Sequence, residues 1–128
     1  MSFASTILVV DDDPLVCALM QRILEDGGYH VLTAHNGGDA LDVLVKNVHQ
    51  LHLLVTDVVM PDMSGRILAK AASQLFPRLP VLYVSGYLGN DGDQVPETAL
   101  LHKPFTPAEL LERAEALMAP AGNIALVL

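Results

Sequence analysis

The side chains best suited to chemistry in this sequence stand where short apolar runs end. An acidic triplet, residues 11–13, closes the first run, Asp57 and Ser85 end two later runs, and Lys103 follows another. If each run is a buried parallel strand, all of these side chains lie at the carboxyl edge of one sheet. An open α/β sheet has its ligand crevice at that edge. The pattern therefore predicts one site that combines several carboxylates, a hydroxyl and an ammonium group.

Such a site is suited to phosphoryl transfer. Two or three carboxylates within about 5 Å repel each other by a few kcal/mol at an effective dielectric constant of about 20. A hard divalent cation relieves that repulsion, and Mg²⁺ is the usual ion where a few carboxylates meet phosphate oxygens. A carboxylate oxygen of Asp57 can then attack a phosphoryl group and form an aspartyl phosphate. Lys103 and Ser85 can stabilise the charge that develops on the phosphoryl oxygens.

The elements that must position these groups alternate along the chain. Short β-rich runs are followed by helical patterns with apolar residues three and four apart. The predicted strands are 7–10, 30–34, 53–56, 81–85 and 98–101. The predicted helices begin after the capping residues Asp13, Asn36, Ser64 and Thr106. Residues 86–96 are rich in glycine, aspartate and asparagine, so we expect a fourth helix there to be short or irregular.

This alternation predicts the α/β class, with a doubly wound, five-stranded parallel sheet between two layers of helices. Right-handed crossovers connect consecutive parallel strands, and about five helices would provide them. A 2-1-3-4-5 strand order would place the switch point of the sheet between the first and third strands. Asp11, Asp12 and Asp57 would then share one crevice.

Size and charge narrow the function. The 128 residues fit one domain, which we expect over 1–120, with an apolar C-terminal tail at 121–128. The formal charge of −8 would repel a phosphate backbone, so we expect no direct contact with nucleic acid. No apolar stretch approaches the roughly 20 residues of a membrane span, so we expect no membrane contact. The single cysteine, Cys17, lies in a helical pattern, and we expect a buried thiol in a cytoplasmic protein.

Four motifs together resemble those of response-regulator receiver domains. They are Val9-Val10-Asp11-Asp12-Asp13-Pro14, Thr56-Asp57-Val58-Val59-Met60-Pro61-Asp62-Met63-Ser64-Gly65, Val84-Ser85-Gly86-Tyr87 and Lys103-Pro104-Phe105. They occur in the family's order and spacing, and the resemblance covers about residues 5–119. It implies the flavodoxin-like receiver fold. The variant at 85–87 and the weak fourth helix are most similar to receivers attached to hybrid sensor histidine kinases.

The resemblance assigns a role to each matching residue. It makes Asp57 the phosphoacceptor and makes Asp11, Asp12, Asp57 and the carbonyl of Val59 the Mg²⁺ ligands. Lys103 would pair with Asp57 before phosphorylation and with a phosphoryl oxygen afterwards. The Ser85 hydroxyl would turn towards the phosphate. The Lys103–Pro104 peptide bond is expected to be cis.

Two departures from the family pattern matter. The family often has an aromatic residue three positions before the lysine, where this chain has Leu100, and Tyr87 is a candidate for covering the site instead. Val59 and Tyr87 occupy the positions that flank the phosphoryl group, and neither can orient an attacking water as Asn or Glu could. We expect a domain that is not a multiple-turnover enzyme by itself. It would catalyse its own phosphorylation and a slow dephosphorylation at Asp57.

The resemblance also implies partners. We expect a histidine kinase or a histidine phosphotransfer protein as phosphoryl donor, and a weak or phosphorylation-dependent homodimer is compatible with the family. No output domain fits within 128 residues, so we expect a phosphate shuttle acting alone or a piece of a hybrid kinase. Two alternatives stay open. One is a small Mg²⁺-dependent phosphatase of the haloacid dehalogenase type, and the other is a binding module with the receiver fold that works without phosphorylation.

Overall fold

The computed structural model describes residues 4–47, 49–86 and 95–119, which form a five-stranded parallel sheet in the order β2-β1-β3-β4-β5. The strands are β1 Thr6–Val10, β2 His30–Ala34, β3 Leu53–Asp57, β4 Val81–Ser85 and β5 Leu100–His102. The helices in these ranges are α1 Pro14–Asp26, α2 Gly37–Lys46, α3 Gly65–Leu75 and α4 Pro107–Met118. The predicted doubly wound parallel sheet and its 2-1-3-4-5 order are confirmed.

The sheet is covered on both faces, as the continuous apolar runs predict. Side chains alternate between the faces of a strand, so Ile7 and Val9 of β1 face one way and Leu8 and Val10 the other. The first pair packs with buried residues of α1 and α4. The second pair packs with buried residues of α2 and α3. The central strands are therefore fixed by two separate hydrophobic cores.

Each described helix begins at the capping residue that the sequence predicts. Asp13 Oδ1 accepts a hydrogen bond of 2.9 Å from the Leu15 amide, and the side chains of Asn36 and Ser64 cap α2 and α3 in the same way. Thr106 and Glu109 form the predicted capping box, with bonds of 3.1 and 2.9 Å. These caps satisfy amide groups that lack partners within the helix, so they fix where each helix starts beyond its strand.

The predicted start of the fifth strand is wrong by two residues. Glu97–Ala99 form a 3₁₀ turn, closed by a bond of 2.9 Å from the Ala99 amide to the Pro96 carbonyl. Strand pairing starts only at Leu100, which lies opposite Tyr83. The prediction relied on the β-propensity of Thr98. It was wrong because the local turn satisfies backbone groups of Glu97–Ala99, which then do not pair as a strand.

Two other predictions fall outside the described residues. They concern the apolar tail at 121–128 and most of the predicted fourth helix, residues 87–94. Among the residues that the structure describes, none of the helices is long and apolar enough to cross a membrane.

The turn from β3 into α3 depends on a close backbone approach at Gly65. The Gly65 amide donates a bond of 2.8 Å to the Val58 carbonyl, which folds the chain back onto the end of β3. A Cβ atom at Gly65 would overlap the backbone carbonyl of Asp57 and lie 3.1 Å from the Thr56 Cγ2 atom. Only glycine allows this approach, because the first neighbour is backbone and cannot rotate away.

We therefore expect Gly65→Ala to lower the free energy of unfolding by about 2–4 kcal/mol, since the added methyl group must displace the backbone at Asp57. The matched control is Gly38→Ala in the first turn of α2. A Cβ atom there meets only Asn36 Oδ1, at 3.4 Å. Urea unfolding followed by circular dichroism measures both variants. Equal stability of the two would contradict the steric argument.

Candidate functional site

Three carboxylates meet where β1 and β3 end. Asp11 and Asp12 follow β1, Asp57 is the last residue of β3, and one oxygen atom from each lies within 4.8 Å of the others. Asp11 is fully buried and Asp57 is 8% exposed, whereas Asp12 is exposed. The parallel pairing of β1 with β3, which includes Val10 opposite Thr56, brings these strand ends side by side. Burying two like charges this close is unfavourable unless a cation compensates them.

Lys103 supplies a positive charge to this cluster. Its Nζ atom lies 2.9 Å from Asp11 Oδ2 and 3.6 Å from Asp57 Oδ2, so one ammonium group bridges both buried carboxylates. The resemblance to receivers predicts the pairing with Asp57, but the shorter bond is to Asp11. The fully buried Asp11 has more to gain from a charged partner, because no solvent reaches its carboxylate. The Lys103–Pro104 peptide bond is cis, as expected.

The electrostatics of the site follow from burial and charge. Burial raises the pKa of Asp57 from 3.8 to about 6; the Lys103 ammonium opposes this rise, and the Asp11 carboxylate adds to it. Burial lowers the pKa of Lys103, but the bonds and charges of Asp11 and Asp57 outweigh that effect and leave its pKa raised. Lys103 is therefore positively charged at neutral pH, and Asp57 changes its ionisation at a pH far above that of an ordinary aspartate.

Ser85 and Val59 flank the carboxylates. Ser85 ends β4, is 3% exposed, and accepts a bond of 2.8 Å at its carbonyl from the Lys103 amide. Its neighbour in the strand, Val84, lies opposite Asp57. Val59 is 50% exposed, and its amide donates a bond of 3.4 Å to Asp57 Oδ1. Of the residues expected at the site from the sequence, those that the structure describes lie at one edge of the sheet. Tyr87 lies outside the described residues.

The donor set fits a hard divalent cation. It offers carboxylate oxygens from three side chains in one cluster, without sulfur or imidazole, which is the chemistry that ions preferring oxygen ligands select. Asp11 is further oriented by a bond of 2.9 Å from the Asp13 amide to its Oδ1 atom. Asp13 itself caps α1, as expected, and its Oδ1 atom is engaged by the Leu15 amide. The cluster could therefore hold a metal ion through Asp11, Asp12 and Asp57.

Sequence reasoning missed one residue of this region. Asp62 is exposed, and its carboxylate accepts bonds from the amides of Gly37 and Gly38, at 3.1 and 3.2 Å. The bond from Gly37, with that from Gly38, lowers the pKa of Asp62. No local sequence pattern predicts the contact between Asp62 and Gly37, which are 25 positions apart. A carboxylate in the loop and a glycine pair at a helix start are the only signals.

The geometry also bears on the phosphatase alternative. A phosphatase of that type would use Asp11, Asp13, Ser85 and Lys103, and Asp57 would have no role in it. In the structure, Asp57 lies in the carboxylate cluster beside Lys103, while Asp13 serves as a helix cap. The cluster therefore includes Asp57, a residue that the phosphatase alternative does not use.

Comparisons with known proteins show what the whole chain is similar to. A model of the response regulator receiver domain family matches residues 7–115. The response regulator receiver protein CpdR of Brucella abortus is 33% identical over 119 residues, which are 90% of this chain and 98% of that protein. The transcriptional regulatory protein CpxR of Escherichia coli is 36% identical over 117 residues, which are 88% of this chain. The chain spans only 48% of CpxR, so it corresponds to about half of that regulator.

A solved structure extends the likeness to hybrid kinases. The receiver domain of the hybrid histidine kinase CckA is 33% identical and superposes with a TM-score of 0.77. The match covers 90% of this chain and all of the solved one. The likeness therefore spans the whole sheet, and it includes both a receiver protein of similar length and the receiver segment of a kinase.

The raised pKa of Asp57 predicts an unusual dependence of stability on pH. Between pH 3.8 and about 6, the folded protein binds more protons at Asp57 than the unfolded chain does. The contribution of Asp57 to the free energy of unfolding, roughly 3 kcal/mol, is therefore present at low pH and is lost as the pH rises through 6. Asp57→Asn removes it. The variant should gain stability over the wild type as the pH rises from 4 to 7.

Urea unfolding at a series of pH values, with a chelator present, measures this difference. Comparing two proteins cancels the opposite pH dependence of groups such as Asp62 and Glu109, whose pKa values are lowered. Asp42→Asn, on the exposed side of α2, serves as the control and should show no such trend. A difference between Asp57→Asn and the wild type that does not vary with pH would contradict the raised pKa.

Proposed function

The chain belongs to the response regulator receiver domain family of two-component systems, and from this premise we propose that Asp57 accepts a phosphoryl group from a phosphohistidine with the help of Mg²⁺. The observation that carries the proposal is the ammonium group of Lys103 between two carboxylates, 2.9 Å from Asp11 and 3.6 Å from Asp57. A core has no need of this arrangement, whereas phosphoryl transfer needs each of its parts.

In the proposed reaction, a carboxylate oxygen of Asp57 attacks phosphorus. A new O–P bond forms while the N–P bond of the phosphohistidine breaks, and the imidazole nitrogen keeps the electron pair. Asp57 must be ionised to attack. With a pKa of about 6 in the absence of a cation, it is already mostly ionised at pH 7, and a bound Mg²⁺ would favour the ionised form further.

The surrounding residues support each part of that step. Asp11, Asp12, Asp57 and the carbonyl of Val59 would hold Mg²⁺, which supplies positive charge to the phosphoryl oxygens. Lys103 stabilises the same charge from the other side, since its ammonium group already lies beside the Asp57 carboxylate. Ser85, buried at the end of β4, provides a hydroxyl donor. Burial of Asp11 and Asp57 excludes water and strengthens these interactions.

The donor and the context of the domain belong to the same proposal. The proteins similar to this chain include a receiver protein and the receiver domain of a hybrid histidine kinase, so a histidine kinase or a histidine phosphotransfer protein is the donor we propose. The cytoplasm is the compartment we propose, since that is where two-component phosphoryl transfer takes place. Residues 1–120 form the receiver unit in this proposal. A homodimer that depends on phosphorylation would be one means of output.

Incubation with acetyl phosphate and Mg²⁺, followed by intact mass measurement, tests the proposal. We expect one phosphoryl group per wild-type chain, none on Asp57→Asn, and an unchanged result for the surface control Asp42→Asn. The label should resist acid and be lost in base, as an acyl phosphate is. Continued turnover of a phosphate ester without stoichiometric labelling would instead support the phosphatase alternative. Partner binding that is equal for wild type and Asp57→Asn would support a binding module.

The lifetime of the phosphorylated form gives a second test. The exposed Val59 side chain has no polar atom to orient a water, so we expect slow loss of the phosphoryl group. A positioned acid or base contributes about 10²–10⁴-fold at best, so Val59→Asn, which only orients a water, should speed the loss by about 3- to 10-fold. The control Val45→Asn changes a similarly exposed valine on α2. The measurement is the decay of the labelled mass with Mg²⁺ present, and equal rates for the two variants would contradict this role of Val59.

A further inference from the structure

The loop between β3 and α3 is anchored firmly at its two ends. At its start, the Val58 amide donates a bond of 3.1 Å to the Val84 carbonyl of β4. At its end, the Gly65 amide returns to the Val58 carbonyl, and Ser64 caps α3. The middle of the loop, residues 59–63, includes the Val59 carbonyl that the proposed function assigns to Mg²⁺. The position of the Val59 carbonyl therefore depends on the contacts that hold residues 59–63 in place.

The Asp62 side chain supplies that third anchor. Its Oδ1 atom accepts from the Gly37 amide at 3.1 Å and its Oδ2 atom from the Gly38 amide at 3.2 Å. Each oxygen thus has its own donor, which fixes the plane of the carboxylate. Both amides belong to the first turn of α2, where backbone donors lack partners within the helix and negative charge is favoured. Asp62 is exposed, so filling the core does not explain its placement.

The loop and the helix are also in direct contact at this point. A Cβ atom on Gly37 would lie 2.8 Å from the Cβ atom and 2.9 Å from the Sδ atom of Met63. The neighbouring Gly38 has no such contact with the loop. Met60, which is buried, packs into the core between the sheet and helices α2 and α3, and Met63 packs against that core. The absence of a side chain at Gly37 is what lets Asp62 reach the amides.

The same framework holds Asp11. The Asp11 amide donates a bond of 3.2 Å to the carbonyl of Ala34, the last residue of β2. Only two residues separate Ala34 from the first residue of α2. The contact of Asp62 with α2 therefore links the loop after Asp57, through the end of β2, to the backbone of Asp11.

We propose that Asp62 is a positioning residue for the cation site, which holds the 59–63 loop against α2 so that the Val59 carbonyl stays in register with the carboxylates of Asp11, Asp12 and Asp57. The proposal rests on the proposed function for the identity of the cation. It adds a residue that does not touch the ion. Asp62 acts through the amides of Gly37 and Gly38 and through the backbone of the loop.

Titration of the unphosphorylated protein with Mg²⁺, followed by calorimetry or by amide chemical shifts, tests this role without any turnover. Losing an outer-shell partner typically costs about 10–100-fold in metal affinity, and this residue is one step further away, so we expect Asp62→Ala to raise the Kd for Mg²⁺ by about 3- to 10-fold. Asp62→Asn keeps one acceptor oxygen and should fall between the wild type and Asp62→Ala. In labelling by acetyl phosphate, Asp62→Ala should need a higher Mg²⁺ concentration to reach a given rate. At saturating Mg²⁺ its rate should equal that of the wild type.

Asn36→Ala is the control for helix stability. Asn36 caps the same helix through the Asp39 amide, with a bond of 2.7 Å, but it does not bond to the loop. Its loss should lower the stability of α2, as an N-cap deletion does, and leave the Kd for Mg²⁺ unchanged. This variant separates positioning of the site from mere destabilisation.

Gly37→Ala and Gly38→Ala form a second matched pair. Both place one methyl group in the first turn of α2, but only the first collides with Met63. We expect Gly37→Ala to weaken Mg²⁺ binding and Gly38→Ala to leave it unchanged. This pair keeps the proposal testable if Asp62→Ala fails to fold.

The outcomes are distinct. Wild-type affinity for Mg²⁺ in both Asp62→Ala and Gly37→Ala would overturn the role of Asp62 and leave the proposed function intact. An equal loss of affinity in Asn36→Ala would overturn it as well, because helix stability would then explain the effect. Failure of the wild type itself to bind Mg²⁺ would remove the cation from the proposed function, and the positioning role with it.

Discussion

The structure depends on one electrostatic constraint, which is the burial of two carboxylates within reach of a single ammonium group. Asp11 is fully buried and Asp57 nearly so, and Lys103 bridges them. Removing either charge from water is costly, and their repulsion adds to that cost. The ammonium group of Lys103, which directly follows the edge strand β5, offsets part of it. The remaining negative charge is what makes the site receptive to a hard cation.

The parallel sheet meets this constraint because of its strand order. Since β1 and β3 are central neighbours, the residues that follow them lie side by side, while β4 and β5 place Ser85 and Lys103 along the same edge. The two hydrophobic cores hold the strands from both faces, so the strand ends have little freedom to separate. Packing of this kind lets a site with unfavourable charges persist, because the cores supply the stability that the site lacks.

Much of this could be predicted from the sequence because the signals were local. Apolar runs defined the strands, and Asp13, Asn36, Ser64 and Thr106 defined the helix starts, since a cap acts within three residues. The start of β5 was wrong because the turn at Glu97–Ala99 competes with strand pairing. The bond between Lys103 and Asp11 joins residues 92 positions apart. The contact of Asp62 with α2 joins residues about 25 positions apart. Burial of Asp11 determines the bond to Lys103, and packing of the loop determines the contact of Asp62. No local sequence pattern shows either one.

The elevated pKa of Asp57 shows how stability and reactivity oppose each other at this site. Burial makes ionisation of Asp57 costly, so the folded protein at neutral pH carries a carboxylate that its surroundings disfavour. In the proposed function, the same burial leaves that carboxylate poorly hydrated and so favours its attack on phosphorus. Any ligand that binds the ionised form of Asp57 more tightly than the neutral form lowers the cost of ionisation. By linkage, the same ligand shifts the equilibrium between conformations that differ in this ionisation. Local instability at one aspartate is thus a source of free energy that ligand binding at the strand ends can release.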